Sequence, residues 1–468
     1  MTTMAQNAAL LKNLFGLLEA HRGAFAQERT YRRVVGLVLA EIFVFARHTV
    51  SQLLMCLGQT EVDWSAAYRV FSQRRFRAER VRTVLIGETL KEVKPDELYV
   101  VGVDATHTPR TSGKLEGCGW ARNPRNPAFR PGIHKAQRWS HGSWLVPAET
   151  GYSRAVPVWF QPAFTERTTR QVTASCTEGE AAVDFLLELR GQLKSQQRDR
   201  QEVLAVGDGR YDELTLWQSL PECTFLLARS AANRALYELP PAPSGGRGRR
   251  RLYGVRAPTP QDVWRERKGW RELTLQVRGR DRHLQVKVRG PFLRRGAPHC
   301  PLMLVVVRGK DNSRTRRDPL PFLVNARKSA DGTWQLPFPV ETLLFWAWQR
   351  WELEVCHREL KSNFGLGQKQ CFNPYSAVAS VQWSAWVYAI LVLAGYRTFG
   401  LTRSRTVPTA WWHGSGRWSL NTLWRSYRTA FWQVSEFHAL PALTPADWGE
   451  KEALLRALRN AVFAAAAA

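Results

Sequence analysis

A chain of 468 residues is long for one hydrophobic core, so two or three domains, or one enlarged by an insertion, are expected. Hydrophobic residues make up 44 % of it and 20 are Trp, which excludes general disorder. The 67 Lys and Arg outweigh 40 Asp and Glu to give a formal charge of +27. The cations are spread along the chain and interleaved with aromatics, so a nucleic acid is favoured over a membrane surface as polyanionic partner.

The first ~95 residues read as helices, with apolar positions at spacings of 3 and 4 in 8–20 and 33–46. Thr49 is a candidate N-cap, Gly58 a break and Asp63 a second cap, so 47–77 reads as two short helices around a turn, rich in arginine (Arg69, Arg74, Arg75, Arg77). A helix-turn-helix DNA reader and an ordinary helical hairpin with a solvated basic end both fit. The runs 34–46 and 384–396 fall short of a membrane span, which predicts buried helices and no membrane partner. The N-terminal sequence lacks signal-peptide features. Cys56, Cys118, Cys176, Cys223, Cys300, Cys356 and Cys371 are scattered without a CxxC pair, as expected of reduced cytosolic thiols.

From residue 98 the pattern changes to strands. "LYVVGVDATHTP" is an apolar run ending in Asp104, and "WSHGSWLVPAE" and "SRAVPVWF" follow a Gly, Pro and Arg-rich loop at 117–135. A helix is predicted over 178–195, then "EVLAVGDGRYDEL" is a second buried strand ending in an aspartate, Asp208. Alternating segments between 240 and 340 read as a β-rich insertion, entered by the linker "PPAPSGGRGRRRLYG". The basic stretch 244–256 reads equally as a DNA backbone contact or a solvated linker. Trp264, Trp270 and Trp334 are core residues or stacking platforms for an unpaired base. A helix from near Val340 carries "WQRWELEVCHRELKSNFG", and a long helix over 374–396 and a Trp-rich tail follow. The expected organisation is a helical, candidate DNA-binding domain (1–95), a first core segment (96–239), the insertion (240–338), core helices (339–400) and a helical C-terminal region (401–468).

An aspartate ending a buried strand costs several kcal/mol unless its charge is compensated, and this happens twice, at Asp104 and Asp208. Asp208 also reads as a helix cap. On the 348–365 helix, at ~100° per residue, Glu354 lies ~40° from Arg350, Lys361 ~20°, Arg358 ~80° and His357 ~20° the other way, whereas Glu352 and Glu359 fall ~200° and ~180° away. Glu354 is therefore the glutamate among cations, and substitution of Glu352 is expected to be mild. The face reads as helix salt bridges or, with the two aspartates, as a site whose three carboxylates hold two Mg2+.

"RWELEVCHRELK" resembles the Y-x2-R-x3-E-x6-K signature of a branch of bacterial insertion-sequence DDE transposases, through Arg350, Glu354 and Lys361, with Ala347 where Tyr is usual. "VVGVDATHTPRTSGKLEG" is similar to that family's first-aspartate motif (Asp104, with Arg110 and Lys114 in the following loop), and "VLAVGDGRYDEL" to the second (Asp208, with Tyr211 nearby). The resemblance implies an α/β fold with a ribonuclease-H-like core, a β-rich insertion and a preceding helical N-terminal domain. It also implies that Asp104, Asp208 and Glu354 are catalytic metal ligands for two Mg2+, with Mn2+ able to substitute. Arg350, Lys361, Arg358, His357, Arg110, Lys114 and Tyr211 are the expected DNA or phosphate contacts. The implied activity is cut-and-paste transposition by a cytoplasmic, nucleoid-associated bacterial enzyme, a homodimer on double-stranded DNA that cleaves element ends and joins them to target DNA. A catalytically retired transposase kept for DNA binding, and a structure-selective nuclease of the same core, are the alternatives.

Overall fold

The computed structural model describes residues 3–123, 126–127, 129–169, 173–241, 251–309, 319–369, 371–401 and 417–432. Most of the basic stretch 244–256 and of the region 401–468 therefore lies outside the described residues.

Five helices open the chain: α1 (Thr3–Ala20), α2 (Glu28–Phe43), α3 (Val50–Cys56), α4 (Ser65–Ser72) and α5 (Ala78–Leu90). Thr49 caps α3 by accepting from the Gln52 amide at 3.3 Å, as its sequence position suggests. Asp63 stands one residue ahead of the α4 cap and accepts from the Ser65 amide at 2.8 Å. The strands β1 (Tyr99–Pro109), β2 (Cys118–Arg122), β3 (Ile133–Leu145) and β4 (Ala155–Pro162) follow, then α6 (Glu178–Ser195), β5 (Val203–Gly207), α7 (Leu214–Ser219) and β6 (Thr224–Arg229). Helix α6 starts at a capping box, Thr177 and Glu180 each bonding the other's backbone amide.

The next segment holds α8 (Pro260–Arg265), β7 (Arg271–Val277), β8 (Arg280–Arg294), β9 (Ala297–Gly309) and β10 (Leu320–Asn325), then a small pair, β11 (Arg327–Lys328) and β12 (Trp334–Gln335). Four helices complete the described chain: α9 (Val340–Gln349), α10 (Trp351–Ser362), α11 (Pro374–Phe399) and α12 (Leu420–Trp432).

The large sheet has the order β2-β3-β1-β5-β6-β10-β9-β8-β7, with β4 also paired to β3. Strand β1 is antiparallel to β3 and parallel to β5, and β5 is parallel to β6. This mixed sheet with its helices agrees with the expected α/β class. Strands β10 to β7 extend it as an antiparallel meander.

Helix α11 is 26 residues long and apolar enough, by length and composition, to cross a membrane, longer than the 384–396 run implies. The window concerned is 94 % buried, against α1, α4, α5 and β4. Buried residues from Leu10 in α1 to Tyr427 in α12 form one continuous core through it. Arg74 stacks over Tyr375 of α11 at 4.0 Å, and α4 and α5 pack on the same helix.

The stretch 348–365 is not one uninterrupted helix. Helix α9 ends and α10 begins at Arg350, whose backbone stays helical (φ −50°, ψ −30°) while both helices use it as a cap.

Candidate active-site cleft

Asp104 does not end its strand, because β1 continues to Pro109. What ends there is the parallel pairing: Val103 opposite Gly207 is the last β1–β5 pair. Asp104 and Asp208 are the next residues along the chain from this last pair, Asp208 just past the end of β5, and register brings them side by side. Gly102, two residues before Asp104 and on the same face, lies under α10. A Cβ there would meet Leu353 Cδ1 at 2.3 Å, so glycine lets α10 sit this close, with Glu354 over the same edge, without displacing the Leu353 side chain.

Asp104, Asp208 and Glu354 accordingly line one cleft of about 480 Å3, together with Arg350, His357 and Lys361. Arg350 forks between two of the carboxylates, donating from Nη1 to Asp104 Oδ2 at 3.1 Å and from Nη2 to Glu354 Oε1 at 2.9 Å. Asp104 is 15 % exposed and Glu354 37 %. Asp208 accepts the Arg210 amide on Oδ1 at 2.9 Å. Burial pushes the Asp104 carboxyl up to about 6, Arg350 opposes the rise, and Asp208 and Glu354 add to it.

The other glutamates of α10 point elsewhere. Glu352 is buried and paired with Arg278 at 2.8 Å and with Arg417. Glu359 is buried against Arg154 and the Tyr388 hydroxyl, both at 2.6 Å. Glu352 thus holds two guanidinium groups of the fold and does not line the cleft.

Of the expected phosphate contacts, Arg350, Lys361 and His357 line the cleft. His357 is itself buried, its Nε2 at 2.6 Å from His141 Nδ1, and His141 Nε2 meets the Ser143 hydroxyl at 2.7 Å. Burial keeps both imidazoles low, His141 at about 3. Arg358 and Lys114 are exposed but outside the cleft lining. Arg110 and Tyr211 correct the expectation. Arg110 is bonded to Gln137 Oε1 at 2.9 Å and to the Gly367 carbonyl at 2.7 Å, bracing the loop after α10. Tyr211 is fully buried beneath Gly207, so its ring supports the Asp208 turn and does not reach DNA.

Sequence reasoning missed Glu178, Arg138 and Arg210, which line the same cleft as an ion-paired set: Arg210 Nη1 to Glu178 Oε2 at 2.8 Å and Arg138 Nε to Glu178 Oε1 at 3.2 Å. The Thr177–Glu180 capping signature marks the helix start that places Glu178, but its partners come from β3 and the Asp208 turn. Trp264 and Trp270 pack against the main core, and Trp270 takes Lys287 at 4.6 Å and Arg308 at 4.0 Å as cation–π partners, which favours their core reading. Ala347 lines a second cleft of about 410 Å3 that shares Asp208 and Arg350 with the first.

Carboxylate oxygens are ligands suited to hard divalent cations. Among the described residues no group of three His, Cys, Asp or Glu is gathered closely enough to hold a metal, because Arg350 stands between Asp104 and Glu354. The donor set nevertheless fits such an ion, because three carboxylates facing one cleft supply the oxygen ligands that a hard divalent cation takes.

A mixed sheet thus brings two aspartates, one on β1 and one just past the end of β5, under a glutamate-bearing helix. The family described as DDE superfamily endonuclease matches residues 17–289, more than half of the chain, and the protein belongs to this family. The match includes Asp104 and Asp208 and stops before Glu354. Such enzymes are generally dependent on divalent metal, act on DNA and carry out transposase-type nuclease chemistry. No curated protein matches the sequence.

Proposed function

We propose that this protein is a DNA transposase of the cut-and-paste kind, which binds the ends of its own mobile element, cleaves them and joins them to target DNA. The observation that carries this reading is the convergence of Asp104, Asp208 and Glu354 on one cleft under the fork of Arg350, in a chain of formal charge +27.

Asp104, Asp208 and Glu354 would hold Mg2+, or Mn2+ in its place. When bound, the metal supplies Lewis-acid stabilisation at phosphorus and lowers the pKa of the attacking water or 3′-hydroxyl. The residues of the chain do the rest. Arg350 releases its carboxylates and turns its fork to the scissile phosphate, for which a guanidinium has matched bidentate geometry. Lys361, about three turns beyond Arg350 along α10, adds a point charge on the same phosphate path. Glu178 keeps Arg138 and Arg210 at the cleft wall, where they meet the flanking backbone. The His357–His141–Ser143 chain ties α10 to β3 with neutral groups, fixing Glu354 over Asp104.

The test is strand cleavage of element-end DNA, taken from the genomic flanks of the gene, by wild type and Glu354→Gln with Mg2+ or EDTA. Cleavage by wild type alone, and only with metal, is expected. Binding by both proteins without cleavage would instead favour a retired, DNA-binding transposase.

A further inference from the structure

The hairpin formed by β2 and β3 stands at the mouth of the cleft, and Arg122 at its end together with Asn126 in its loop belongs to the cleft wall. Register sets Trp120 opposite Lys135 and Arg122 opposite Ile133, so these four side chains share one face. On that face Trp120 is 68 % and Ile133 72 % exposed, with Lys135 Nζ over the indole at 5.2 Å. Beyond it, Phe129 is 89 % exposed, the most exposed large hydrophobic side chain among the described residues.

The loop holding Phe129 is tied down by backbone bonds: Asn123 donates to the Gly132 carbonyl at 2.7 Å, Asn126 to Asn123 at 3.2 Å and Arg130 to Pro127 at 3.1 Å. Gly132 also lies against the Asn126 side chain, where a Cβ would come within 2.2 Å of the amide nitrogen. An apolar ring so presented costs solubility unless something covers it. The charge says what does: between Gly117 and Lys135 the sequence has Arg122, Arg125, Arg130 and Lys135 and no Asp or Glu. A cation-rich, carboxylate-free hairpin tipped by Phe, Trp and Ile is complementary to the groove of a duplex, with phosphates for the cations and a base step for the ring.

We infer that this hairpin is a DNA wedge: it lies in the minor groove of the duplex leaving the cleft, and Phe129 enters a base step there and kinks the DNA. The inference rests on the reading of the cleft as one that acts on DNA, and adds how the duplex is held and bent beside it. Partial unstacking costs a few kcal/mol per step, which the added contacts of the bent duplex offset.

The test uses the full-length protein and a short duplex with a dye at each end, in Ca2+, read by energy transfer between the dyes. Wild type is expected to raise the transfer. Phe129→Ser is expected to lose that rise and to bind the intact duplex about tenfold more weakly, while binding a duplex with an unpaired central step as wild type does. Phe129→Leu, still an apolar wedge, is expected to restore bending. Bending by Phe129→Ser equal to wild type, equal weakening on both duplexes, or a duplex left straight or unbound by wild type would each overturn the wedge. Plasmid cleavage in Mg2+, measured in parallel, separates the two readings: bending without cleavage removes the nuclease and keeps the wedge, and cleavage without bending does the reverse.

Discussion

Two carboxylates set into this molecule, Glu41 and Asp104, have opposite fates. Glu41 of α2 is fully buried, and it is surrounded: Lys369 Nζ at 2.8 Å, the Trp383 indole N–H at 2.9 Å and the His48 ring all meet it. Burial alone would push the Glu41 carboxyl up, but Lys369 and His48 outweigh it and hold the group at about 2. Asp104, 15 % exposed, shares one arginine with Glu354, and burial outweighs that arginine and pushes its carboxyl up to about 6, with Asp208 and Glu354 adding to the rise. The first is a closed account of charge and serves the fold. The second is left open, and an open one in a cleft is where a cation or a substrate fits.

Breaking the contrast at the cleft has the largest expected effect. Asp104→Asn, Asp208→Asn and Glu354→Gln are each expected to lower strand cleavage by about a thousandfold or more, with DNA binding by filter or gel-shift assay largely kept. Loss of binding in folded variants would count against the ligand assignment. At the closed site, Glu41→Gln is expected to cost about 3–5 kcal/mol in denaturant unfolding, since it strands the Lys369 ammonium in the core. The pH sign follows from the depressed pKa. The contribution of Glu41 is complete above the unfolded value of 4.5 and is lost as pH falls through about 2, so wild type and variant converge in that acid window.

Glu352→Gln sharpens the comparison on a single helix. It is expected to cost about 2–4 kcal/mol, because Arg278 and Arg417 lose their shared partner, while cleavage per folded molecule stays within about tenfold. The reverse sign is expected at the open site: Asp104→Asn should gain roughly 1–3 kcal/mol at pH 8 without metal, a gain that shrinks as pH falls from about 6 towards 4 and the wild-type carboxyl takes up its proton. A destabilised Asp104→Asn would mean that Arg350 compensates the site fully. The smallest and broadest effect is salt: element-end binding should weaken steadily with ionic strength as Lys and Arg release counterions, and a flat response would remove the phosphate contacts.

Much of this was legible in the chain. The apolar runs leading to Asp104 and Asp208 are strands because their β-branched residues fill a buried sheet, and ~100° per residue suffices to separate Glu354 from Glu352 and Glu359. The helix pattern over 178–195 matches α6 at both ends, since a capping box marks its start. What periodicity does not carry is the partner across space. Arg154 lies 205 positions from Glu359 and Arg417 65 from Glu352, so the pairs that bury these glutamates leave no local trace. The same holds for Glu178, which meets Arg138 and Arg210 through tertiary packing alone. The break at Arg350 is hidden for another reason: its dihedrals are helical, and only the hydrogen-bond pattern changes.

Helix α11 carries a consequence for anyone cutting this chain. Its apolar surface is covered in part by α1, α4 and α5, within one core that begins at Leu10. A fragment starting at the first strand would strip the α1, α4 and α5 side from a 26-residue apolar helix that has the length and composition of a membrane span. Such a fragment should behave as a stray membrane segment, partitioning into bilayers or detergent or clumping in their absence. The amino-terminal helices act, in that sense, as an internal chaperone for the helix that follows Glu354.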